Sequence, residues 1–71
     1  MRYAVVIEKT DTGHSAYVPD LPGCVATGST LDEVRASIAE AVAMHVAGLV
    51  DDGEPIPEPS AVADYIETDA A

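Results

Sequence analysis

One cysteine and two histidines are the side chains of this 71-residue sequence most suited to nucleophilic or metal chemistry. Cys24 could attack a substrate only with a base in hydrogen-bond reach. His14 and His45 stand well apart from it along the chain, and the three lack the close spacing of a zinc site. Cys24 therefore reads as a core-lining thiol. His45, between Val42 and Val46, reads as a packed imidazole, and His14, opening a strand beside a turn, as a solvated residue. No catalytic residue, cofactor site or metal site is expected.

The run Pro19-Asp20-Leu21-Pro22-Gly23-Cys24 is more distinctive. Its two prolines preset the backbone at low entropic cost. Two readings of Leu21 stand. Either it is an apolar knob, offered with Pro22 to a partner, or it folds inward as a lid on the end of a sheet. Glu8, Asp11 and Asp20 are expected near that same sheet end. There they would steer a basic partner or form a solvated rim.

Thirteen acidic against three basic side chains give a formal charge of -10. Such a surface repels phosphate backbones and leaves few cations to neutralise them, so direct nucleic-acid binding is not expected. With 48% hydrophobic residues the chain is too apolar for the disordered acidic class. The charge must coat a folded object, where it suits a basic partner or serves solubility. A chain this short holds one domain with a small core, so a homodimer or higher oligomer is expected. Met1 to Lys9 lack the apolar run of a signal peptide or membrane anchor, which predicts a cytoplasmic protein. The lone thiol suits that reducing compartment.

These residues must be positioned by few elements. Arg2 to Lys9 alternates Tyr3, Val5 and Ile7 against Ala4, Val6 and Glu8, predicting a first strand. Thr10 to Gly13 forms a turn, His14 to Val18 a second strand, and Cys24 to Gly28 a third after the proline loop. Thr30-Leu31-Asp32-Glu33 has capping-box spacing. Leu31, Val34, Ile38, Val42, Val46 and Leu49 then make the apolar stripe of a helix ended by Asp51-Asp52-Gly53. Alanines from Ala36 to Ala47 would let another element approach the other face closely. Glu54 to Pro59 should run extended. Val62 to Glu67 alternates as a last strand, or Ser60 caps a short helical turn instead. The expected fold is α+β, in the order β-β-β-α-β, with a small mixed sheet and one helix on one face. Residues 1–67 form the domain, and 68–71 a frayed acidic tail.

The strand Tyr3 to Glu8, Gly13, the run Ala16 to Cys24, Thr27 to Glu33 and Gly53-Glu54-Pro55-Ile56-Pro57 together resemble the HicB-like antitoxins. The likeness covers nearly the whole chain. It implies a partial RNase H-like fold in a prokaryotic cytoplasm and partnership with HicA, a small basic mRNA interferase with a double-stranded-RNA-binding-domain-like fold. The implied function is an antitoxin that occludes the active site of that toxin. A self-associating domain that binds a small ligand or another protein, without a toxin, is the alternative. Many members of the family continue into a DNA-binding segment, and the acidic residues closing this sequence lead us to expect no autorepression from it alone. The RNase H likeness also suggests Glu8, Glu33 or Glu40, and Asp64 as magnesium ligands for nuclease chemistry. Acids are so abundant here that some must fall near one another by chance, Glu33 has its capping role, and the negative surface repels RNA. No enzyme activity is expected.

Overall fold

A computed structural model describes residues 1–70. Three strands, β1 (Val6–Lys9), β2 (His14–Tyr17) and β3 (Val25–Gly28), precede one helix, α1 (Leu31–Asp51). The fold is α+β, and the three strands form an antiparallel sheet in the order β1-β2-β3. Ile7 lies opposite Ala16, and Ala16 opposite Ala26. This row faces the helix. Side chains alternate across a sheet, so Tyr3, Val5 and Ile7 join Ala16, Val18, Cys24 and Ala26 against Val34, Ile38, Ala41, Val42 and Val46.

The connections follow from local chemistry. In the β1–β2 turn the Thr10 amide donates to the Gly13 carbonyl at 2.8 Å, and the Gly13 amide to Thr10 Oγ1 at 3.1 Å. The loop from Val18 to Cys24 is two successive turns. The Leu21 amide donates to the Val18 carbonyl, and the Cys24 amide to the Leu21 carbonyl. Pro19 and Pro22 each take the second position of a turn, where their fixed φ fits, and Gly23 takes the left-handed position at φ 82°. Leu21 is the residue the two turns share.

Helix α1 starts at Thr30, whose Oγ1 accepts from the Glu33 amide at 3.1 Å. The return bond is shifted by one residue from a standard capping box: Glu33 Oε2 accepts from the Ser29 amide at 2.9 Å. At the other end Asp52 caps the helix, the Gly53 amide donates to the Val50 carbonyl and the Glu54 amide to the Leu49 carbonyl. This is a Schellman closure, and it needs the left-handed Gly53 at φ 68°.

The structure departs from the expected fold in two features. Residues 62–67 form no strand and no helical turn among the described residues, and the sheet is wholly antiparallel rather than mixed. Pro55, Pro57 and Pro59 have no amide to donate to a ladder, and side-chain bonds to Asp20 fix the chain just before residue 62. Thr68 to Ala70 are exposed, and Ala71 lies outside the described residues. Among the described residues no helix is long and apolar enough to cross a membrane.

Candidate protein-binding face

The antiparallel meander separates the acids that were expected together. Lys9 pairs with His14 at the turn end of the sheet, whereas Val6, Tyr17 and Val25 align at the other end, where the Val18–Cys24 loop begins and ends. Glu8 and Asp11 therefore lie towards the hairpin turn, and Asp20, Leu21 and Pro22 beyond the opposite end of the strands. They do not share one sheet end. Each strand advances ~3.4 Å per residue, so the four-residue strands hold the two groups roughly 10 Å or more apart.

Leu21 adopts the inward arrangement. It is 0% exposed and packs with Ala16, Val18, Cys24, Val34 and Ile38. Its position between two turns drives it under the sheet end, leaving Pro22 and Gly23 exposed outside. In this conformation Leu21 offers no surface to a partner. Burial raises the Cys24 thiol above its ordinary range, which disfavours the thiolate a nucleophile needs.

Asp20 is engaged within the chain. One carboxylate oxygen accepts from the amides of Ser60 and Ala61, and the other from the Ser60 hydroxyl, all at 2.9 Å. The Ala61 amide, then the amide and hydroxyl of Ser60, hold the carboxyl below its ordinary range by favouring the charged form. Asp20 thus fastens the segment after the helix to the proline loop. Tyr3 adds a second fastening, its hydroxyl donating to the Pro57 carbonyl at 2.6 Å.

His14 differs from the solvated residue expected. It lies on the same strand face as Ala16, so its ring is half-buried and its Nδ1 is shielded without a hydrogen-bond partner among the described residues. His45 is half-buried beside the helix stripe. Among the described residues no three His, Cys, Asp or Glu side chains are close enough to hold a metal ion, so Glu8, Glu33, Glu40 and Asp64 do not gather.

The face of the sheet turned away from α1 was missed in the sequence. Val6, Tyr17 and Val25 align there across all three strands, with Tyr17 42% and Val25 64% exposed. The adjacent outward row is polar, with Glu8 opposite Ser15 and Ser15 opposite Thr27. An apolar row beside an acidic and hydroxylated one can anchor a protein surface and orient its basic groups. The signal was present in the alternation: placing Ala16 and Val18 inward leaves Tyr17 outward.

A 14.9 kDa protein from the rep–hol intergenic region of Haemophilus phage HP1 is 38% identical over 93% of this chain. The chain spans half of that relative's length. A UPF0150 protein of Synechocystis sp. is 35% identical over 79% of this chain and 72% of its own, and one of Archaeoglobus fulgidus is 40% identical over 76% and 83%. Among solved structures, a chain of a HicA3 and HicB3 toxin–antitoxin complex superposes with a TM-score of 0.72 at 35% identity, covering 83% of this chain and 70% of that one. Residues 3–70 match the HicB-like antitoxin of bacterial toxin–antitoxin systems, and the chain belongs to that family.

Proposed function

We propose that this chain is a non-catalytic antitoxin of a type II toxin–antitoxin pair, which binds a HicA-like basic mRNA interferase in the cytoplasm and occludes its active site. The observation that carries the proposal is the helix-free face, where the exposed Tyr17 and Val25 lie beside the row containing Glu8. Family membership and the likeness to a chain of a HicA3 and HicB3 complex support the identity of the partner. The formal charge of -10 supports a basic one. Glu8 and Asp11 would steer the encounter from the hairpin end, while Asp20 holds its loop and Pro22 forms the rim at the other end. Leu21 contributes by shaping that loop from within.

The test is to coexpress the chain with the product of the neighbouring reading frame, isolate the complex and assay RNA cleavage by that product with and without the chain. Copurification and loss of cleavage are expected. A partner that does not bind, or that binds and cuts RNA at full rate, overturns the reading in favour of a binding domain without a toxin.

A further inference from the structure

The sheet has two edges, and they differ. Residues 61–63 of the post-helix segment come alongside Arg2, Tyr3 and Ala4 on the outer side of β1, and Lys9 ends that strand. A covering segment and a lysine are common protections of an edge. Strand β3 has β2 on one side only, and its residues Val25–Gly28 include no charge and no proline. Pairing fixes which of its backbone groups are bare. The Val18 amide donates to the Cys24 carbonyl at 3.2 Å, so in an alternating antiparallel ladder Cys24, Ala26 and Gly28 turn their backbone groups to β2. Val25 and Thr27 turn theirs away. Neither has a backbone partner outside the sheet among the described residues.

We propose that this edge takes an extended segment of the basic toxin as a fourth strand, bonded to the amides and carbonyls of Val25 and Thr27. The inference rests on the antitoxin reading and adds how the two proteins join. Val25 is 64% exposed on the helix-free face, so one residue gives that face an apolar side chain and gives its border two free backbone groups. The edge and the face form one continuous surface.

Charge selects the occupant. From Thr10 to Val34 the chain holds Asp11, Asp20, Asp32 and Glu33 and no Lys or Arg. The first turn of α1, with Asp32 and Glu33 exposed, abuts the end of β3, because a Cβ on Gly28 would lie 3.0 Å from the Glu33 carbonyl carbon. Arg35 is 4.0 Å from Asp32, which leaves Glu33 without an opposite charge among the described residues. A second copy of this chain would bring the same acids against these, and the chain's own post-helix segment lies at the other edge. A basic extended segment meets opposite charge, finds main-chain partners and sets alternate side chains on the face of Tyr17 and Val25.

The experiment coexpresses the full chain with the product of the neighbouring reading frame and follows amide exchange by NMR in the free chain and in the complex. The Val25 and Thr27 amides should exchange readily in the free chain and slow at least about tenfold in the complex. Ile7 and Lys9, which turn their amides to the other edge, should not change. Thr27→Pro deletes one outward donor and spares the ladder with β2, so the domain should stay folded by circular dichroism while affinity falls about tenfold. Thr27→Ala keeps the amide and should cost at most about threefold. Should Thr27→Pro unfold the chain, the exchange measurement decides alone. Absence of any complex overturns the antitoxin reading and this proposal with it, whereas an inhibitory complex that leaves Val25 and Thr27 open overturns strand addition only. Protection of both amides in the free chain, by a second copy or by residues 62–67, overturns it too. So does a folded Thr27→Pro that binds as tightly as Thr27→Ala.

Discussion

The carboxylate of Asp20 accepts hydrogen bonds from both the amide and the hydroxyl of Ser60, 40 residues further along, at 2.9 Å each. This contact ties the proline loop to the segment after the helix. It depends on ionised Asp20, whose pKa is lowered in the folded chain chiefly by the Ala61 amide and then by Ser60. A depressed carboxyl contributes stability that is fully present above its unfolded pKa, ~3.9 for aspartate, and is lost as pH falls through the lower folded value. Residues 60–61 should therefore stay docked above about pH 4 and release only in stronger acid. Asp20→Ala should release them at neutral pH. Amide exchange at Ser60 and Ala61 measures both, and protection that persists in Asp20→Ala would refute the fastening.

Leu21→Ala should lower stability by ~2–5 kcal/mol, because it opens a cavity beneath two turns that cannot easily collapse onto Val34 and Ile38. Urea unfolding followed by circular dichroism reads the change. A loss below about 1 kcal/mol would mean that the loop repacks and that Leu21 is not the pin of the sheet end.

Gly28→Ala should be destabilising by ~1–3 kcal/mol. A Cβ on Gly28 would lie 2.5 Å from the Val34 amide nitrogen and 2.9 Å from its Cα, so the helix must move away from β3. The obstacle is backbone and not a flexible side chain. Thermal unfolding gives the measurement, and an unchanged midpoint would show that the helix start shifts freely.

The helix ends against its own dipole. Asp51 and Asp52 stand at the negative terminus and the last turn holds no basic residue. Asp51→Lys should stabilise the chain by ~0.3–1 kcal/mol at low salt, the gain shrinking as salt screens it. Gly53→Ala should instead cost about 1 kcal/mol, since it places a Cβ at φ 68°. Melting curves at two ionic strengths separate the two effects.

If the helix-free face meets a basic toxin, Glu8→Gln with Asp11→Asn should slow association, most visibly at low salt, and leave dissociation nearly unchanged. Tyr17→Ala should accelerate dissociation. Binding kinetics across a salt series distinguish the two. Equal rates for wild type and Tyr17→Ala would move the interface off this face.

The α+β class and the order β-β-β-α were legible in the sequence because local rules govern them. Alternation marks Val6–Lys9 and His14–Tyr17 as strands, the prolines and Gly23 force the turns, and Thr30, Glu33 and Gly53 delimit the helix. The same rules could not distribute the acids. Glu8, Asp11 and Asp20 are close in sequence, but an antiparallel meander carries successive connections to opposite ends of the sheet, and only pairing such as Lys9 with His14 and Tyr17 with Val25 shows which end each reaches. Leu21 had two readings because its local backbone permits either, and burial against Val34 and Ile38 from a distant element decided between them. Val62 to Glu67 has the pattern of a strand, but a strand exists only where another strand accepts its hydrogen bonds. The sequence by itself determined which segments bend, coil or extend and the acidic character of the whole; tertiary structure decided which side chains are spent on the core and which remain for a partner, because burial and pairing depend on residues far apart in the chain.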